Sequence, residues 1–127
     1  MKYFLGTLII LLTFSCKRQQ VINTLIKRSW AVHEVTYNDS IYDFFFRGNT
    51  IRFEKDNDCK VPYFETQFNE KAKWRIESKN QKFYLIIYNS NEEFLNGRYS
   101  VRFKEENKYF IEVLFESDSL SLMCRGE

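Results

Sequence analysis

The chain has 127 residues, enough for one ordinary domain and not two. Its 19 basic side chains are nearly balanced by 17 acidic ones. With no field of one sign, nucleic acid loses its main electrostatic argument as a partner.

The first element is a leader. Lys2 precedes an almost unbroken apolar run from Tyr3 to Phe14, interrupted only by Gly6 and Thr7, and "KRQQ" follows directly after Ser15 and Cys16. The run falls short of the roughly 20 apolar residues that a helix needs to span a bilayer core. Nor does it carry the polar residues at every third or fourth position that mark an amphipathic helix. The pattern is that of a signal peptide over residues 1–15, cleaved before Cys16. "LLTFSC" resembles the box that ends bacterial lipoprotein signals, with small Ser15 ahead of the cysteine and departures at Thr13 and Phe14. Thr13 and Ser15 also fit the small-x-small site of ordinary secretion, and both readings cut the same bond. The lipoprotein resemblance implies that Cys16 carries palmitate-type acyl chains and becomes the new N-terminus. This accounts for a cysteine that would otherwise be a reactive thiol there. It further implies a protein anchored to a membrane of the bacterial cell envelope, on its periplasmic or surface side.

Beyond the leader, Val21, Ile22, Leu25 and Ile26 recur at helical spacing, which predicts a short amphipathic helix within residues 16–28. From Ser29 onward the apolar period becomes two. "SWAVHEVTY" opens the sheet and "NTIRFEK" follows. "AKWRIES" sets Ala72, Trp74 and Ile76 on one face. "RYSVRFK" opposes Tyr99, Val101 and Phe103 to Arg98, Arg102 and Lys104, and "KYFIEVLFE" turns Tyr109, Ile111, Val113 and Phe115 inward. These are half-buried antiparallel strands. "KDND", "SKNQ", "NSNEE", "EENK" and "SDS" supply turns between the runs. Pro62 cannot donate to a ladder, so its strand is an edge, bulged or broken there. "IYDFFF" (41–46) and "FYLIIY" (83–88) are apolar on both faces, so one face of each needs a cover, from a loop, a helix or a partner. The expected fold is all-β: one antiparallel up-and-down β-barrel of about eight strands over residues 29–127, preceded by the short helix, since closure removes exposed edges.

A short helix, an early strand with a tryptophan and a meander of this length resemble the lipocalin-like domains of small bacterial lipoproteins. Their first strand carries a leucine-x-glycine-x-tryptophan pattern. Here Ile26, Lys27, Arg28, Ser29 and Trp30 correspond, so the tryptophan matches and the glycine does not. In that family an arginine just after the last strand packs over the tryptophan, and the resemblance gives this role to Arg125. It also implies a small apolar ligand inside the barrel.

No catalytic signature accompanies this pattern. His33 is the only histidine; strict alternation puts it with Ala31 and Val35, and no nucleophile stands beside it in a motif. Glu54, Asp56 and Asp58 have the rhythm of a calcium loop without its glycine or distal glutamate, and read as a hairpin turn. Phosphate loops, CxxC pairs and zinc spacings are missing from the sequence, so neither a metal nor a cofactor is expected and the chain reads as a non-enzyme. Cys59 and Cys124 are a candidate disulfide, closing about 65 residues at about 4 kcal/mol in the chain-entropy model, or else two buried reduced thiols. Aromatic residues make up 18% of the chain. Either they fill the barrel, or Trp74, Tyr99, Phe103, Tyr109 and Phe115 line a ligand cavity. Two functions follow: a lipid-anchored binding domain for a small apolar ligand, or an interaction protein with a filled core that docks another envelope protein, as an enzyme inhibitor would.

Overall fold

The computed structural model describes residues 16–41, 49–62, 69–105 and 110–126. A helix, α1, covers residues 16–27. The strands are β1 (Ser29–Tyr37), β2 (Ser40–Ile41), β3 (Thr50–Phe53), β4 (Asp58–Pro62), β5 (Asn69–Lys79), β6 (Lys82–Tyr88), β7 (Gly97–Glu105), β8 (Ile111–Glu116) and β9 (Leu120–Gly126). Every pairing is antiparallel; β1 pairs with β3, β3 to β9 pair in succession, and β9 returns to β1, so β1 and β3–β9 close an eight-stranded ring. The two residues of β2 extend it by pairing with Thr36 and Tyr37 at the far end of β1. Closure pairs both edges of the sheet, which is how an all-antiparallel fold of this size avoids open ladders.

Local chemistry explains the turns. Asn38–Asp39 and Asn80–Gln81 form two-residue hairpin loops with left-handed backbone at both positions. That is the type I′ geometry whose twist matches the flanking strands. Pro62 is the last residue of β4, where its missing N–H costs no internal ladder bond.

Alternation places the core as expected. Trp74, Ile76, Tyr99, Val113 and Phe115 are buried, and Val101, Phe103 and Ile111 pack against them, while Arg75, Arg98, Arg102 and Lys104 are exposed. Tyr109 and most of "IYDFFF" lie outside the described residues. One strand departs from strict alternation. In β1 the register with β9 shifts between Val32 and Glu34, leaving His33 as an extra, bulged residue. Trp30, Val32 and Val35 therefore all enter the core, and His33 parts company with Val35. On the outer face of "FYLIIY" the Arg98 guanidinium lies 4.9 Å from the Tyr84 ring and that of Arg75 lies 5.4 Å from Tyr88. These two arginines flank Ile86 in register, and Ile86 is half-buried between them.

The middle of the barrel is filled. Phe53 on β3 meets Trp74 on β5 at 4.9 Å between ring centroids and Phe115 on β8 at 5.9 Å. β3 and β8 are separated by β1 and β9 in the ring, so the Phe53–Phe115 contact crosses the interior. At the end away from α1, a single 3-10 turn over Glu93–Leu95 buries Leu95, and Phe94 meets Tyr37 at 5.7 Å. Ser90 and Asn96 pin that connection by two hydrogen bonds, of 2.8 and 3.0 Å, and the Tyr99 hydroxyl donates to the Leu95 carbonyl.

Candidate functional site

The end covered by α1 brings together Trp30, Phe103 and Arg125 from among the residues that sequence reasoning singled out. Along α1, Leu25 is fully buried and Val21, Ile22 and Ile26 pack on the core. The face carrying Cys16, Gln20, Asn23 and Lys27 is exposed. This is the amphipathic arrangement that the 3.6-residue period requires. The helix is tied down by polar bonds to strand ends. Trp30 Nε1 donates to the Leu25 carbonyl at 3.0 Å, and Arg18 donates to the Ile76 carbonyl at 3.1 Å.

Trp30 is fully buried, as its place in the resemblance implied. Its neighbours are different from those expected. Arg125 lies inside β9 rather than after it, opposite Ala31, and alternation turns it outward, where its guanidinium sits 4.4 Å from the Phe110 ring. The residue facing Trp30 is Gly126, which pairs with it directly. A Cβ added at Gly126 would come within 2.8 Å of both the Trp30 ring and the Arg28 side chain. Arg28 reaches the Gly126 carbonyl at 3.4 Å. The close approach therefore uses a glycine at the last strand, not the first, and the packing arginine precedes the tryptophan. The parity of "SLMCRG" carries this information: Leu122, Cys124 and Gly126 share one face, and Arg125 cannot join them.

Beside α1, at the ends of β6 and β7, a cleft of about 420 Å³ opens to solvent. Val21, Phe83, Val101 and Phe103 form its wall, and Lys82 and Tyr84 stand in its lining. The Phe103 ring lies 6.2 Å from Trp30, so one side chain joins the cleft to the closed end. Of the candidate ligand-lining residues, Phe103 borders this cleft. Trp74, Tyr99 and Phe115 belong to the filled interior, and Trp74 Nε1 is bonded to the Glu54 carbonyl at 2.9 Å. Sequence reasoning missed Val21 and Phe83, whose signal was that of ordinary core positions.

The remaining candidates are dispersed. Cys16 is exposed at the start of α1, and Cys59 and Cys124 are free and buried. β4 and β9 stand three steps apart in the ring; at 4.7–4.9 Å per step that is about 12 Å or more across the curve. A disulfide tolerates about 7 Å, so the bridged alternative is set aside. Burial, helped by the Asp58 and Glu54 charges, pushes the Cys59 thiol up to about 12, and burial pushes Cys124 up as well. His33 Nε2 lies 3.7 Å from the buried Glu112 carboxylate. The calcium-like run forms a hairpin turn in which Asp58 binds Lys73, and the Lys73 ammonium holds the Asp58 carboxyl below its usual range. Among the described residues no three potential metal ligands cluster, and no helix is long and apolar enough to cross a membrane.

By architecture the chain is a closed eight-stranded antiparallel barrel with a helix across one end. Comparison with family models, with curated proteins and with solved structures finds no match.

Proposed function

We propose that this is an exported, lipid-anchored, lipocalin-like and non-enzymatic protein of the bacterial cell envelope that holds a small apolar ligand at the helix-side mouth of its barrel. The observation that carries the reading is the cleft of about 420 Å³ walled by Val21, Phe83, Val101 and Phe103. Its volume falls within the range of small-molecule sites, and its wall is apolar with one cation near it. The ligand site is thereby moved from the barrel's middle, where Phe53, Trp74 and Phe115 occupy the space, to its rim. Titration of the protein with an apolar fluorescent probe tests this. Phe103→Ala should weaken probe binding several-fold, and Phe115→Ala should not, provided the variant is measured where it remains folded. Equal affinity in wild type and Phe103→Ala would remove the cleft from consideration.

The filled interior favours a second reading, an interaction protein that docks another envelope protein through its outer surface. Native mass spectrometry of the protein from its host distinguishes the two: a retained small molecule supports the first, a retained protein the second.

A further inference from the structure

The helix end of the barrel carries two electrostatic conflicts that the protein does not relieve. The first is in α1 and its linker: residues 16–28 hold Lys17, Arg18, Lys27 and Arg28 and neither Asp nor Glu. Arg18 and Arg28 bond to the carbonyls of Ile76 and Gly126, which leaves their charges unneutralised. The second conflict is at the β5–β6 hairpin. Lys79 and Lys82 are directly opposite one another in register and both exposed. Like charges so placed destabilise a sheet. Neither has an ion pair among the described residues, and Glu77, on the same strand, is 3.8 Å from Arg75. Arg52, Lys60 and Lys71 are also opposed in register on β3, β4 and β5, but there Lys60 lies 3.8 Å from Glu54.

The far end has the reverse character. Exposed Asp39, Glu93, Glu116 and Asp118 border its turns and connections. The helix end also holds the β3–β4 hairpin, whose Glu54 and Asp58 meet Lys60 and Lys73 and whose Asp56 is exposed, so the excess of bases at that end is carried by α1 and the β5–β6 hairpin. Local conflicts of this kind mark places where sequence answers to a partner as well as to folding.

We propose that the helix end is a docking face for an anionic lipid surface, with Lys17, Lys27, Lys79 and Lys82 meeting phosphate headgroups and the acidic end held away from the bilayer. The choice of a lipid over an acidic protein rests on the anchoring reading, since an acylated Cys16 would bring this end to the membrane. The contact is adsorption at headgroup level, because the exposed stripe of α1 is polar rather than apolar. Basic side chains at such a surface contribute about 1 kcal/mol each, over a range set by the Debye length.

The test is co-sedimentation of the mature chain carrying Cys16→Ser, which has no acyl group and retains the helix and closed barrel. The vesicles are phosphatidylcholine alone, or phosphatidylcholine mixed equally with phosphatidylglycerol. Binding is expected to the mixed vesicles only, and to fall as salt rises. K79Q/K82Q should weaken it by about 30-fold, and the matched K60Q/K71Q by less than about twofold, with unchanged circular dichroism in both. Equal binding to the two vesicles, no binding at low salt, or unchanged binding by K79Q/K82Q overturns the proposal. The intact mass of the native protein and its partition into phosphatidylcholine vesicles report on the anchor alone, so either reading can fail without the other.

Discussion

Replacing Phe115 by alanine is the sharpest probe of how the barrel is filled. The ring is completely buried, and its strand is paired on both sides, opposite Val101 on β7 and Leu122 on β9. It also meets Phe53 across the interior at 5.9 Å. A closed hydrogen-bonded wall cannot easily collapse into the space the ring leaves, so the loss should lie well within the 3–5 kcal/mol typical of buried Phe→Ala changes, at about 4 kcal/mol. Against a usual total of 5–15 kcal/mol the variant stays folded at room temperature with a much reduced margin. Urea unfolding should show a lower midpoint at unchanged slope, and the thermal midpoint should fall by roughly 15–30 °C. Phe103→Ala makes the internal comparison. That ring is half-buried at the cleft, so its removal should cost only about 1–2 kcal/mol. A loss below about 1 kcal/mol for Phe115→Ala would mean that the interior already holds a void, and the argument moving the ligand site to the rim would fail.

Cys16→Ser should shift the mature protein from membrane to soluble fractions; full membrane retention of that variant is incompatible with lipid anchoring. Gly126→Ala forces a Cβ to within 2.8 Å of Trp30 and should destabilise by about 1–3 kcal/mol through overpacking, whereas a change under 0.5 kcal/mol, about the level of surface substitutions, would show that this end yields freely. Cys59 and Cys124, with thiol pKa values raised by burial, should resist alkylation at neutral pH and react only as the barrel unfolds in urea; rapid labelling of the native protein would contradict their placement. Asp58 should titrate below 3.8 by NMR and return toward that value in Lys73→Met. With the folded pKa lowered, its small contribution is present above the ordinary carboxylate range and lost as pH falls through the lowered value.

Strand positions and facing were readable because each depends on a period of two over several residues. From Trp74 to Ile76, and from Val113 to Phe115, every inward residue is apolar and buried, with Arg75 and half-buried Leu114 turned outward. His33 shows where this fails. A bulge adds one residue to one strand, and "WAVHEV" is equally apolar on either side of the insertion, so only the register with β9 reveals the shift. Arg125 failed for a related reason: placing it depended on where the last strand ends, and "SLMCRG" has no turn residue to end it before Gly126.

The candidate site was less legible than the fold, and for a reason internal to barrels. Val21 on α1 and Phe83, Val101 and Phe103 on β6 and β7 pack on the core and also line the cleft. In sequence Phe83 and Val101 are indistinguishable from Leu85 and Tyr99, two residues deeper in the same strands and fully enclosed. Whether an inward ring becomes core or cleft depends on how far the helix reaches across the opening. That reach is fixed by Leu25 against Trp30 and by the bonds of Arg18 and Arg28 to strand ends. Arginines that clamp the helix to neutral carbonyls thereby do two things at once: they fix the helix against the strands, and they keep their positive charge at this end of the barrel.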